Sequence, residues 1–294
     1  MKSSALKGVC AMFLEFPPSP ILSAYVDSLL IQEDLSRNNY ANRSPVKVLP
    51  TAMTVIGIQY GKTMSVVEAG TTKQLSTSGI TGMQTTFREY VSTGAIGTII
   101  VRFKPGGLLQ FVDYPIHEFL DSNTDLKLIF PPQAVEEMEQ RIQEAESAAA
   151  RIAAVNNFLL AMFKDKREDK LLLDLAVQIS KQNGSISVDQ LAKQFFVNKR
   201  TLERQFNQRI GISPKKFAGI LRFQHAIRLR KAGFGYLDIV EACGFSDHAH
   251  FIREFKSLAG CTPEQFFGTE IQPELARHFN EYKAKTFYKP IMYQ

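Results

Sequence analysis

Between Ser187 and Phe266 one pattern occurs twice, and it restricts the fold of this chain more than any other feature. In the first copy Ser187 precedes a short helix, Val188–Phe195, with Leu191 and Ala192 turned inward. Phe196-Val197-Asn198 forms a turn, and a second helix runs from about Lys199 to Ile210, stopped by Gly211. In the second copy Tyr236–Cys243 is the short helix, with Leu237, Ile239 and Val240 as its apolar positions. Gly244-Phe245-Ser246 is the turn, and Asp247–Ala259 is the second helix, stopped by Gly260. Leu191 and Asn198 correspond to Ile239 and Ser246 at an offset of 48. Leu202, Phe206, Gly211, Pro214 and Phe217 correspond to Phe251, Phe255, Gly260, Pro263 and Phe266 at an offset of 49. The second copy is therefore expected to carry its extra residue at the start of its second helix.

The residue types suit this geometry. Asn198 and Ser246 read as N-caps, whose side-chain oxygens accept from open amides of the first turn. Leu202 with Phe206, and Phe251 with Phe255, are i, i+4 pairs that anchor each second helix. Lys199, Arg200, Glu203, Arg204 and Asn207 are left outward in the first copy. Asp247, His248, Ala249, His250 and Arg253 are left outward in the second. A short helix, a tight turn and a polar second helix make the unit that enters a DNA major groove. One helical hairpin is common; two in register are informative.

Charge supports the same half of the chain. Residues 1–165 hold 14 Lys and Arg against 16 Asp and Glu, and residues 166–294 hold 21 against 13. A near-neutral half precedes one with a net charge of +8, which points to a polyanionic partner for the second half. With 45% hydrophobic and 22% charged residues the chain can bury a core. No stretch approaches the roughly 18 apolar residues of a membrane span, and the apolar run within Met1–Phe16 is too short for a secretory leader. Cys10, Cys243 and Cys261 are too few for a disulfide framework or a four-cysteine zinc site, so a reducing cytoplasm is the expected setting.

The first half reads as mostly β. Val46–Leu49, Thr54–Ile58, Met64–Val67 and Ile96–Phe103 are β-branched runs bounded by Gly, Pro and Ser. Leu108–Val112 and Ile116–Leu120 read as short helical pieces, with Pro115 in a first turn. From Ala134 to about Lys164 apolar residues recur every three or four positions, including Val135, Met138, Ile142, Ile152, Val155 and Leu159. This is one helical face, suited either to dimerisation or to packing on its own domain. Lys164–Lys170 is the linker candidate.

At the repeat the sequence resembles the AraC-type transcription regulators, over roughly Asp169–Gly268. The residues that carry this are L-A-K-Q-F-F-V-N-K-R-T-L-E-R-Q-F from Leu191, and G-F-S-D at Gly244, F-K at Phe255 and G-C-T-P at Gly260. Phe196 departs from the glycine often found in the first turn, and Val240 from a usual alanine. The resemblance implies two helix-turn-helix units joined by a helix at about Pro214–Lys231, entering adjacent major-groove turns about 34 Å apart. Residues 1–133 resemble, more loosely, a sensory domain found ahead of such regions, through Pro18–Val26, Val48–Pro50, Ile80–Thr85 and Arg102–Gly107.

The expected architecture is α+β: a β domain over 1–133, with a cupin-like barrel as one candidate form; a helical connector over 134–168; an all-α double helix-turn-helix domain over 169–268; and a tail over 269–294 with a helix at Pro273–Lys285. Candidate base readers are Arg200, Glu203, Arg204, His248, Ala249, His250 and Arg253; Arg can pair with guanine O6 and N7. Glu203 alternatively orients Arg200 or Arg204. Candidate phosphate contacts are Lys199, Asn207, Lys215, Lys216, Arg222 and Lys256. Arg222 serves equally well as a structural donor within the connecting helix. Asp247 suits capping better than base reading.

No catalytic or metal-binding residues and no cofactor are expected. His248 and His250 are two apart and do not converge on one ion. His117 lacks a histidine partner in its half, and P-loop, G-x-S-x-G and H-E-x-x-H motifs are absent. The partners implied are double-stranded promoter DNA and an unidentified small-molecule or protein effector, with RNA polymerase and a second copy of the chain as candidates and no membrane. Two alternatives stay open: a protein-interaction module with weak non-specific DNA binding, and a β-domain enzyme fused to a DNA-binding domain.

Overall fold

The structure is a computed structural model that describes residues 11–34, 45–68, 70–166 and 170–268. Cys10, part of the Lys164–Lys170 linker and the tail helix at Pro273–Lys285 lie outside these residues.

Among the described residues ten strands make up the first half: β1 Ala11–Phe16, β2 Val26–Asp34, β3 Val46–Val48, β4 Val55–Gln59, β5 Ser65–Glu68, β6 Thr71–Gln74, β7 Ser78–Thr81, β8 Arg88–Val91, β9 Ile96–Phe103 and β10 Asn123–Asp125. All pairings are antiparallel. One sheet runs β1-β2-β9-β4-β7-β10 and the other β3-β8-β5-β6. The candidate barrel is thus not formed among the described residues: β1 and β10 are edges, and the strands stay in two open sheets. β3, β4, β5 and β9 lie where the β-branched runs place them. The pieces at Gly107–Gln110 and Ile116–Phe119 are single 3-10 turns, with Pro115 just outside the second.

Alternation along the central strands sorts the six-stranded sheet into two faces. Ile56 and Ile58 of β4, and Ile99, Val101 and Phe103 of β9, join the core beneath the connector. Gly57, Thr98 and Ile100 point the other way, into a cavity toward the second sheet. β2 is the most buried strand, and the sequence reading missed it. Its buried Asp27, Ser28, Gln32 and Asp34 break the apolar pattern, and a register shift falls between Val26 and Ser28.

The connector is two helices, not one. α1, Pro132–Glu144, ends where Ala145 turns extended; α2, Ala148–Met162, begins at Ser147, whose side chain accepts from the Ala150 amide. Val135, Met138, Ile142, Ile152, Val155 and Leu159 are all buried on the sheet, so the stripe packs on its own domain. Burial of each such side chain contributes about 1.5–3 kcal/mol. Arg151 of α2 lies 4.5 Å from the Tyr60 ring centre, and the Tyr60 hydroxyl donates to Glu33 at 2.6 Å. Burial, reinforced by Glu33, raises the Tyr60 phenol well above its ordinary range.

The second half is helical: α3 Lys170–Lys181, α4 Val188–Gln194, α5 Lys199–Ile210, α6 Pro214–Lys231, α7 Tyr236–Ala242, α8 His248–Ala259 and α9 Pro263–Gly268. Its core also takes in Leu49, Ala52 and Met83 of the β half. The two halves meet at the ends of α5 and α8. Gly211 and Gly260 close these helices in left-handed backbone, at φ 102° and 76°. A β-carbon on Gly211 would press on Ile116, and one on Gly260 would enter the Phe87 ring. The Phe87 amide donates to the Leu258 carbonyl at 2.9 Å, and the Gln224 side chain to the Pro50 carbonyl at 3.1 Å.

Gly260→Ala is expected to cost about 2–4 kcal/mol, combining left-handed strain with the Phe87 clash. Urea unfolding checks it, and Phe87→Ala in the same chain should recover the clash component and leave the backbone strain.

Candidate nucleic-acid interface

Each unit is built from its caps inward. Ser187 opens α4 with a capping box: its hydroxyl accepts from the Gln190 amide at 3.1 Å, and Gln190 Oε1 accepts from the Ser187 amide at 2.9 Å. Asn198 opens α5, with Oδ1 accepting from the Arg200 and Thr201 amides at 3.0 and 3.3 Å. Leu202, Phe206 and Ile210 are buried, which leaves Lys199, Arg200 and Arg204 exposed and Glu203 and Asn207 half-buried.

The second unit corrects the register read from sequence. α8 is capped by Asp247, whose Oδ1 accepts from the His250 amide at 2.7 Å. That amide holds the Asp247 carboxyl below the usual carboxylate range. Ser246 is not the cap; its hydroxyl donates to Asp247 Oδ2 at 3.2 Å. The caps Asn198 and Asp247 are therefore 49 apart, like the helices they open, while α4 and α7 start 48 apart. The extra residue is Ser246, inside the turn and ahead of the helix.

Phe196 and Gly244 occupy the same place in the two turns, with φ of 53° and 68°. The phenylalanine does not alter the turn; it adopts the glycine conformation, against its β-carbon. Its ring is 96% exposed, so packing does not offset that strain. In α7, Ile239 is buried and Val240 half-buried, but Leu237 is 79% exposed and is no core position.

On α8, His248, Ala249, Arg253 and Lys256 are exposed. His250 is not outward: Nε2 lies 3.2 Å from Glu254 Oε2, and Nδ1 accepts from the Ser246 amide at 3.3 Å. Glu254 in turn receives Arg222 through both carboxylate oxygens at 2.9 Å. Arg222 thus takes the structural role, tying α6 to α8, with its guanidinium 5.5 Å from the Phe245 ring centre. Both contacts come from the one Nη2 nitrogen, and such a half-buried charge-assisted pair is held more firmly than an exposed one. Glu254 went unnoticed in the sequence, although it stands four residues after His250. Among the described residues Glu203 pairs with neither Arg200 nor Arg204. Lys199 instead reaches Asp189 of α4 at 3.0 Å, and that hydrogen bond raises its pKa.

What remains outward is a matched pair of stripes at an offset of 49: Arg200, Arg204 and Gln208 on α5, and Ala249, Arg253 and Ser257 on α8. Gln208 and Ser257 were missed; each lies four residues beyond an outward arginine. Lys215 and Lys216 stand exposed on the first turn of α6, beside a cleft of about 410 Å³ also lined by Ser257. Cys243 is buried, which pushes its thiol up to about 11, so it is a filler and no reactive thiolate. No group of three or more His, Cys, Asp or Glu able to hold a metal occurs among the described residues.

Residues 191–269 match the family described as a helix-turn-helix domain, and residues 14–125 match a domain of unknown function (DUF6597). The chain is 32% identical over 141 residues to the HTH-type transcriptional activator RhaS of Escherichia coli O1:K1 / APEC, covering 45% of this chain and 51% of that protein. The RhaS of Escherichia coli strain UTI89 / UPEC matches with the same identity and coverage. The chain thus spans about half the length of the curated relatives it matches. A ToxT structure from Vibrio cholerae aligns over 89% of this chain and 98% of its own, with 9% identity and a TM-score of 0.44.

Phe196→Gly is expected to stabilise the chain by up to about 1 kcal/mol, because released strain exceeds the added unfolded-state entropy. Thermal or urea unfolding measures this directly; a loss of stability would show that the ring contributes in the folded state.

Proposed function

We propose that this chain, AraC-type in its helix-turn-helix region, is a sequence-specific DNA-binding transcription regulator of the bacterial cytoplasm. The observation that carries this reading is the pair of arginine-bearing outward stripes on α5 and α8, in register and in the basic half of the chain. α5 and α8 would enter adjacent major-groove turns of one DNA face. Arg200, Arg204 and Arg253 are assigned to base edges, with His248, Ala249, Gln208 and Ser257 beside them. Lys215, Lys216, Lys256, Lys199 and Asn207 are assigned to phosphates. Arg222 and His250 are left out, being engaged with Glu254.

The activator descriptions of the RhaS relatives support positive control; RNA polymerase is assigned as the partner of that control. The β domain is assigned the effector, whose binding shifts the population of DNA-competent chains. No enzymatic step is assigned.

Selection of bound DNA from a random pool by the full-length protein is expected to return two half-sites about one helical turn apart. Arg200→Ala and Arg253→Ala should each relax preference at a base position, at about 1–3 kcal/mol. Lys216→Ala should weaken all sequences alike and reduce the salt slope by about one. Binding that is absent or insensitive to salt, with folded protein, overturns the proposal.

A further inference from the structure

A cavity of about 150 Å³ lies between the two sheets. Its walls are mainly apolar, with Val46, Val48, Met53, Met64 and Ile100 among them. Gly57, in the middle of β4, also lines it, and a β-carbon built there meets nothing within 4 Å. A mid-strand glycine weakens a sheet, and open space over it marks a place where another molecule can approach the backbone.

The three amide side chains of the wall are already bonded within the protein, while Thr51, Thr98 and Arg102 add polar groups to it. Gln59 Nε2 donates to the Ser76 carbonyl at 2.8 Å, and its Oε1 accepts from the Met64 amide. Gln84 Nε2 donates to the Tyr90 hydroxyl at 2.9 Å, and Asn123 Nδ2 to Thr81 Oγ1 at 2.9 Å. Arg102 lies in the field of the buried Asp27 carboxylate. A largely apolar cavity of this size has room for a benzene-sized solute.

The segments that line the cavity also seat the helical half. On β3, Val46 and Val48 face the cavity, while Lys47 between them donates to the Ala259 carbonyl at the end of α8 and stands 4.0 Å from the Phe87 ring centre. Leu49 lines the cavity and also joins the helical core. Along the second segment, Gly82 and Gln84 line the cavity, whereas Met83 enters the helical core and Phe87 holds the end of α8.

The geometry points to a binding site for a compact, uncharged apolar molecule, about one aromatic ring in size, whose entry displaces the two segments that seat α8. Ligand chemistry and coupling are thus specified for the β domain; the coupling rests on the regulator reading above, the binding does not.

Toluene is the probe, titrated into the full-length protein. At ten times its Kd it is expected to raise the melting temperature by about 2–4 °C. Methyl resonances of Val46, Val48 and Met64 should shift, along with the amides of Phe87 and Ala259. Gly57→Val fills the cavity and should abolish these shifts while DNA binding persists. Should that variant not fold, the wild-type methyl map still decides, since shifts at Ile56 and Ile58 in place of the cavity residues overturn the site. Sodium benzoate or a hexose binding where toluene does not would overturn the ligand class. Saturating toluene is expected to change affinity for a selected DNA site at least threefold, and an unchanged affinity overturns the coupling. DNA binding with no toluene shift sinks the cavity assignment alone; toluene shifts with no DNA binding sink the regulator reading alone.

Discussion

The arrangement of this protein depends on two close approaches between backbone and side chain. Gly211 and Gly260 end the two outward-facing helices in a conformation that other residues resist, and each brings its helix end against the β half. One contact is to Ile116 and the other to Phe87, from different parts of the β domain. The spacing of α5 and α8 is therefore set twice, once by α6 between them and once by the surface beneath them. Packed contacts of this kind resist small continuous shifts, so a change in the β half is transmitted as a change of seat.

The Arg222–Glu254–His250 cluster adds a second constraint. It ties α6 to α8 through a half-buried carboxylate that receives one arginine nitrogen on both oxygens and an imidazole. α5 has no matching tie, since Gln205 stands where α8 has Glu254. The outward stripe of α5 thus carries Arg200 and Arg204, and that of α8 carries Arg253 with a more rigid attachment. On the DNA-binding reading proposed above, affinity would concentrate on the first unit and orientation would be enforced on the second.

The double repeat, its helices, the Asn198 cap and the four β-branched strands were legible in the sequence because local signals and final packing agree there. Five features were not. The break at Ala145–Ser147 hides inside an uninterrupted apolar stripe with no glycine or proline, and a serine cap decides it. The insertion at Ser246 was misplaced because serine and aspartate both cap well; the charged acceptor at Asp247 prevails, as hydrogen bonds to ionised groups are the stronger. β2 disguises itself by burying Asp27, Gln32 and Asp34. The engagement of His250 with Glu254 is a local i, i+4 contact that went unread, whereas the cavity over Gly57 arises from contacts between distant segments, which periodicity does not encode.

The double use of residues 46–53 and 81–88 has a consequence for how such a protein diverges. On the regulator reading, the exposed stripes of α5 and α8 could change one residue at a time, and an operator could be retuned while the inducer stays the same. The cavity wall lacks that freedom. Enlarging it at Val48 also bears on the strand that supports the end of α8, so on that reading a new inducer would demand a compensating change at the seat. Among descendants of this chain, operator preference would drift through single substitutions and inducer preference through linked pairs.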